Sequence, residues 1–319
     1  MSHSEFEIIK KFFQKNITQT KEIKHGVGDD AAIVAVPENM ELALSMDTFI
    51  SGIHFPENTR PEDVGYKSLA INISDMAAMG AVPHWAMLSL TIPDADREWL
   101  EKFSRGFFEM ADKSGVKLIG GDLNRGPLSI TVQIHGLLPA GSAITRGGAR
   151  IDDLVYVSGQ LGDAGLALAI YNHSLSIPEL HHASVIERLN RPEPRTALGI
   201  KLREMATSAI DISDGLISDL GHILDKSRCG AIINPEHLPL SDAFGNLPGE
   251  KSWNIAITAG DDYELCFTIP PDKQSILENN PELEVPVHCI GKIVDGSGIQ
   301  WIKSDGLHFE PTGPGFQHF

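Results

Sequence analysis

Aspartate recurs along the sequence in five short clusters: Gly28-Asp29-Asp30, Ser45-Met46-Asp47, Ser74-Asp75, Gly121-Asp122 and Asp211-Ile212-Ser213-Asp214. Each lies beside small residues and opens or closes an apolar run. Aspartate is poorly suited to the interior of a helix or strand, so five such placements point to metal chemistry over local stability. Mg²⁺ takes one or two carboxylates and completes its octahedron with water and phosphate oxygens. The expected substrate is therefore a phosphate ester or nucleotide, held through two or more Mg²⁺ ions whose charge keeps the clustered carboxylates from repelling one another.

Each cluster also has a plainer use. Asp47 directly follows the apolar segment Leu42–Met46, which places it at an expected strand end with the Ser45 and Met46 carbonyls as further oxygen ligands. Asp75 falls within an apolar helical stretch one turn after Asn72, where it needs a cation or several donors; an ion pair with Lys67 or a capping role is the alternative. Asp122 follows Leu118-Ile119-Gly120-Gly121, where glycine lets backbone approach a phosphate, or where Gly-Gly-Asp simply turns. Asp211, Ser213 and Asp214 sit at an expected helix start, so one of them could be an N-cap. Asp29-Asp30 is also ordinary turn chemistry.

Cations that could grip phosphate are few. Arg146 is the best placed, in the Gly-rich stretch Thr145-Arg146-Gly147-Gly148-Ala149-Arg150. No P-loop, no G-x-G-x-x-G opening a helix and no protein-kinase catalytic motif is present. Among 319 residues, 43 acidic against 26 basic side chains give a net charge of −17, which argues against nucleic acid and anionic membranes as partners. Cys229, Cys266 and Cys289 are too few and too scattered for a disulfide framework and read as reduced packing residues. The N-terminal segment reads as an amphipathic helix, with Ile8-Ile9 and Phe12-Phe13 at helical spacing, and no run reaches the ~20 apolar residues of a membrane span. A soluble, cytoplasmic protein is expected.

The elements that must position these residues follow from pattern. Strands are expected at Leu42–Met46, Leu128–His135 and Leu154–Ser158, and later at Trp253–Thr258, Tyr263–Ile269 and Val287–Val294. One helix should open at Pro61 and run to about Met79; a second, capped by Asp94, should bury Trp99, Leu100, Phe103, Phe107 and Met110 and end near Gly115. Further helices are expected at 162–171 and from Ser213 through Leu216, Leu220 and Leu224. The composition changes after Gly141, which divides the chain into domains 1–140 and 141–319. Gly28-Asp29-Asp30 and Ile73-Ser74-Asp75 return as Gly260-Asp261-Asp262 and Ile212-Ser213-Asp214 in reversed order, which excludes a simple tandem repeat.

Taken together, Gly26–Ala32, Ser45–Thr48 with Gly52–Phe55, Asn72–Ala81, Ala209–Leu216 and Gly260–Leu265 resemble the thiamine-monophosphate kinase family, of the aminoimidazole-ribonucleotide-synthetase-like superfamily, over nearly the whole chain. The resemblance implies an α/β (α+β) two-domain fold: an N-terminal ATP- and metal-binding domain that forms a dimeric β-barrel, and a C-terminal α/β domain completing the nucleotide and substrate site. It implies a homodimer that transfers the γ-phosphoryl of ATP to thiamine monophosphate with Mg²⁺, leaving room for a monovalent cation such as K⁺. The acceptor is already an anionic phosphate oxygen, so no dedicated base is expected. The family's metal ligands fall on Asp30, Ser45, Met46, Asp47, Asp75, Asp122, Asp211 and Asp214, its nucleotide contacts on Gly121, Asp122, Arg146, Ser213 and Arg105, and its thiamine phosphate contacts on His54, Asp261 and Phe319. Two departures stand out: Leu123-Asn124 where threonines are expected, and Asp261 where glutamate is more usual. A metal-dependent phosphohydrolase, with water as acceptor, is the competing enzyme reading; a silent nucleotide-binding module is the non-enzyme one.

Overall fold

In the computed structural model, which describes residues 5–14, 21–245, 247–313 and 315–316, two compact units emerge: one within 1–76 and 81–142, the other within 77–80 and 143–319. The first begins with α1 (Glu5–Ile8), which passes into a π-helical turn (Ile9–Phe13) that buries Phe12 and Phe13. A short antiparallel pair, β1 (Ile23–His25) and β2 (Ile33–Val34), is followed by β3 (Met40–Ile50), α2 (Pro61–Ala78), β4 (Val82–Ile92), α3 (Arg97–Ser114), β5 (Lys117–Arg125) and β6 (Ser129–Pro139). The sheet order is β3-β6-β4-β5, with β4 and β5 parallel and the other pairs antiparallel.

The register explains the alternation seen in the sequence. Ile130, Val132 and Ile134 are fully buried on one face, and in the same rows stand Phe49, Asp47 and Ser45 of β3 and Leu90 and Leu88 of β4. The opposite face carries the row Thr48, Thr131, Ser89 and Asp122. Helices α2 and α3 pack on each other through two glycines: a Cβ at Gly65 would stand 2.1 Å from the Phe103 carbonyl oxygen, and one at Gly106 would stand 1.8 Å from that of Glu62.

The second unit contains β7 (Leu154–Ser158), α4 (Asp163–Tyr171), α5 (His182–Asn190), α6 (Thr196–Leu202), β8 (Ser208–Asp211), α7 (Leu216–Ser227), β9 (Gly230–Ile233), α8 (Gly249–Thr258), β10 (Leu265–Ile269), α9 (Gln274–Glu278), β11 (Val287–Val294) and β12 (Gly298–Trp301). Its six strands run β12-β9-β11-β7-β10-β8, parallel only between β12 and β9. One core beneath the sheet joins Val155, Val157, Leu216, Leu220, Ile223 and Ile293; Cys229 and Cys266 are buried free thiols in it. No helix of the described residues is long and apolar enough to cross a membrane.

Four sequence expectations are corrected. Trp253–Thr258 belongs to helix α8, where Thr258 Oγ1 donates to the Asn254 carbonyl at 2.8 Å; a short apolar run is ambiguous between helix and strand, and close packing decides it, with Gly162 set against Ala256 and Gly165 against Ala259. Asp96, not Asp94, caps α3 by accepting the Glu98 N–H at 2.9 Å; Asp94 instead lies 3.6 Å from Arg125. Strand β3 continues to Ile50, so Asp47 lies inside a strand and not at its end. Likewise β5 continues to Arg125, so Asp122 is a ladder residue and not a turn.

The α2–α3 crossing yields a stability test. Gly106→Ala is expected to lower the unfolding free energy by about 1–3 kcal/mol through overpacking, whereas Gly221→Ala in α7, where a Cβ meets nothing within 4 Å, should be neutral or stabilising; urea unfolding of the two variants checks both.

Candidate functional site

The first acidic group joins β3 to α2. Alternation points Ser45 and Asp47 toward the helix-covered face, and there Ser45 Oγ donates to Asp75 Oδ2 at 2.6 Å while the Asp47 N–H donates to Asn72 Oδ1 at 3.2 Å. Asn72 is held in turn, its Nδ2 donating to the Ser68 carbonyl at 3.0 Å inside a fully buried helix face. Lys67, also buried, sets its ammonium 5.6 Å from the centre of the Phe49 ring on the same strand. Asp47 and Asp75 are half-buried. Met46, in contrast, turns its side chain to the opposite, open face, where it is 62% exposed, so only its backbone carbonyl is a candidate ligand.

The second group surrounds a cavity of about 390 Å³ in the same unit. Its walls are apolar, from Met87, Leu88, Leu118, Ile119 and Leu123, and its polar rim is Asp29, Asp30, Gly121 and Asp122. Gly121 is required: a Cβ there would stand 1.9 Å from the Leu88 carbonyl oxygen of the neighbouring strand. Asn124, one of the two departures from the family pattern, turns its amide onto Asp122 Oδ2, so the side chain replacing an expected hydroxyl holds a carboxylate instead. Asp30 and Asp122 are both exposed, and the Asp30 N–H donates to Asp29 Oδ1 at 3.0 Å.

These two groups occupy opposite edges of one sheet. Strands β3 and β5 are separated by three interstrand spacings, roughly 14 Å at ~4.8 Å each, and Asp47 and Asp122 stand in rows of opposite face. Within one chain they cannot share an ion that ligates at about 2.1 Å.

The second unit gathers another set. Asp211 ends β8 and is buried; the chain then turns, and the N–H groups of Ser213 and Asp214 both donate to Asp219 Oδ2 at 3.0 Å. Neither Asp211 nor Ser213 caps α7: the cap position is Gly215 at φ +107°, without a side-chain hydrogen bond. Burial pushes the Asp219 carboxyl up to about 7, against the pull of those two amides and of the nearby Arg146 guanidinium. The segment 260–263 packs on this turn, with the Asp261 N–H donating to the Ser213 carbonyl at 2.9 Å and that of Tyr263 to the Ile212 carbonyl at 2.8 Å. Gly260 admits no side chain, since its Cβ would stand 2.2 Å from Ser213 O. The Phe316 N–H closes on the Asp214 carbonyl at 3.0 Å, which lays the end of the described chain against the same turn. Arg146, Asp211, Ser213, Asp214 and Asp261 are thus neighbours.

The remaining expected residues fall as follows. His54 accepts the Ile50 N–H at Nδ1, 3.0 Å, which leaves its proton on Nε2. Arg105 is on the exposed face of α3, near enough to Glu62 to help lower that carboxyl. Phe319 lies outside the described residues. Sequence reading missed Asp219, although an acid in a helix's first turn behind Asp-Ile-Ser-Asp was a visible cue, and it missed the buried Glu264, which Arg188 and Arg195 grip at its two oxygens.

The candidate donor set is oxygen: carboxylates, a serine hydroxyl and backbone carbonyls, with His25 beside Asp29 at 3.8 Å. That composition fits Mg²⁺ and not zinc. Among the described residues no three His, Cys, Asp or Glu side chains converge as a ready-made metal cluster. Such a set suits an ion that keeps several waters and takes phosphate oxygens as ligands.

Comparison with known proteins identifies the family. Residues 28–138 match the AIR synthase related protein N-terminal domain, and residues 150–302 match the corresponding C-terminal domain. The thiamine-monophosphate kinase of Escherichia coli K12 is 44% identical over 323 aligned residues, spanning 100% of this chain and 99% of that protein, and the Haemophilus influenzae enzyme is 43% identical over the same shares. The crystal structure of thiamine-monophosphate kinase from Stenotrophomonas maltophilia K279a superimposes with a TM-score of 0.83 at 41% identity, covering 96% of this chain and 98% of that one. A second solved structure, AaThiL complexed with AMPPCP and TMP, gives a TM-score of 0.78 at 30% identity over 98% and 96% of the two chains. With both domains of the AIR synthase related fold present and relatives matched from end to end, the chain belongs to the thiamine-monophosphate kinase family.

Proposed function

We propose that this protein transfers the γ-phosphoryl group of ATP directly to the phosphate of thiamine monophosphate, giving thiamine diphosphate and ADP. The observation that carries this reading is the β3–α2 group, Ser45, Asp47, Asn72 and Asp75, built into rigid elements of a fold whose relative was solved with AMPPCP and TMP. The acceptor phosphate is already an oxyanion, so alignment and charge neutralisation suffice and no side chain need act as base.

The nucleotide base fits the apolar cavity between the 28–30 and 121–122 segments, with its phosphates at the acidic rim. Mg²⁺ bound by Asp30, Ser45, the Met46 carbonyl, Asp47, Asp75 and Asp122 would neutralise charge on the phosphate oxygens. In the second unit, family resemblance would make Asp211 and Asp214 further oxygen ligands, give Arg146 and the Ser213 side chain contacts to phosphate oxygens, and give Asp261 a contact to thiamine phosphate. His54, with its proton on Nε2, offers a hydrogen-bond donor in the thiamine phosphate role that family resemblance gives it. Phe319 and Arg105 keep the roles that family resemblance gives them, stacking on the thiamine and contacting the nucleotide.

A homodimer, which family resemblance implies, would account for the separation of Asp47 and Asp122. If two copies meet edge to edge, β5 of one can lie beside β3 of its partner and bring the two acid groups within about one strand spacing, close enough for them to act on one bound nucleotide. The open sheet face supports this pairing: Leu44 and Met46 are 56% and 62% exposed there, and such apolar exposure is a surface to be covered.

Incubation with ATP, Mg²⁺ and thiamine monophosphate is expected to yield ADP and thiamine diphosphate in equal amounts, read by chromatography; ADP without thiamine diphosphate would favour the hydrolase reading. Asp47→Ala and Asp75→Ala should each lower kcat by at least about 100-fold with a near-native circular dichroism spectrum, and normal turnover in either would remove the metal-site assignment. Chelation by EDTA should abolish turnover, and Mg²⁺ should restore it.

A further inference from the structure

The segment that carries Asp261 is held in an unusual backbone. Asp261 and Tyr263, neither a glycine, both adopt the left-handed region, at φ +68° and +49°. Such conformations persist only where the surroundings over-determine them. Here the surroundings are a charged network buried directly behind the segment. Glu264 is 0% exposed. Ser158 Oγ donates to its Oε2 at 2.5 Å, Arg188 Nη2 to its Oε1 at 2.7 Å and Arg195 Nε to its Oε2 at 2.7 Å, with Arg195 Nη2 also bonded to Oε1. Arg188 Nη2 reaches on to the Asp262 carbonyl at 3.4 Å, and both Asp262 carboxylate oxygens accept the Gly162 N–H, at 3.0 and 2.9 Å. Gly159 is excluded from carrying a side chain by the Glu264 carboxylate itself, 2.2 Å from where its Cβ would stand.

Four separate elements, the end of β7 and the starts of α4 and α6 together with α5, therefore converge on one short segment. A buried ion-pair network contributes little net stability over an apolar replacement, so stability alone is a weak reason for this investment. What the network does fix is direction: it pins Asp262 and Glu264 on either side of Tyr263, whose hydroxyl donates to Asp261 Oδ1 at 3.1 Å. We infer that Arg188, Glu264 and Arg195 are positioning residues for substrate recognition, holding the 260–263 segment so that the Asp261 carboxylate is preset to receive thiamine phosphate. This rests on the role given to Asp261 under the proposed function.

The test combines steady-state kinetics with amide hydrogen exchange of the substrate-free protein. Arg188, 23% exposed along its side chain, is the safest position to alter. In Arg188→Gln the KM for thiamine monophosphate should rise about tenfold or more while that for ATP stays within about twofold, and exchange at residues 260–263 should accelerate without change in the β7 and β10 amides. Arg188→Lys, which keeps the charge but loses the fork, should recover part of both effects. Glu264→Gln should act in the same direction; if it does not fold, the Arg188 pair carries the test. Equal rises in both KM values, or unchanged exchange at 260–263, would overturn the inference. The exchange result is independent of which acceptor the enzyme uses, so it distinguishes a failure here from a failure of the proposed reaction.

Discussion

Two hydrogen bonds tie the edge strand β3 to the buried helix α2, Ser45 Oγ to Asp75 and the Asp47 N–H to Asn72, and the rest of the candidate site depends on them. They put two carboxylates of the first unit on elements that cannot swing, one in the middle of an eleven-residue strand and one on a helix whose inner face is fully buried. A loop site could relax around whatever ion arrived. A site on a strand and a helix fixes oxygen positions beforehand, which is what a phosphoryl transfer controlled by alignment needs.

The same rigidity has a geometric consequence. A four-stranded sheet with β3 and β5 at its edges holds the β3–α2 acids and the cavity acids apart, and no side-chain rotation closes that gap. The fold therefore keeps the two acid groups of this unit on separate edges. The strand β3 that carries Asp47 also leaves Leu44 and Met46 exposed on the open face of the sheet. The second unit follows a different logic: there the turn 211–215 and the segment 260–263 are laced to each other by backbone hydrogen bonds, and buried Asp219 and Glu264 hold them from behind.

Much of this was legible in the sequence because the signals were local. Pro61 with two acids opened α2, Gly115 closed α3, and alternation marked β6 and β7. The acid-plus-small clusters marked Asp47, Asp75 and Asp122 before any fold was known. The misplaced pieces were those settled by distant partners. Trp253–Thr258 reads equally as strand or helix until α4 packs against it through Gly162 and Gly165. Asp47 and Asp122 looked like strand ends because a carboxylate usually ends a strand, whereas here ladder pairing with β6 and β4 carries both strands past them. The Glu264 network joins residues 69 and 76 positions apart, a separation at which a single sequence carries no pairing signal.

Whether the two acid groups work together across copies of the proposed dimer can be measured by complementation. Asp47→Ala and Asp122→Ala proteins, each inactive alone, would be mixed and allowed to exchange subunits. If Asp47 of one copy works with Asp122 of its partner, half of the dimers become mixed and each mixed dimer regains one intact site, so about a quarter of wild-type activity should return. If both carboxylates serve a site within one chain, every site in the mixture lacks one of them, and a mixture as inactive as its components would contradict the account.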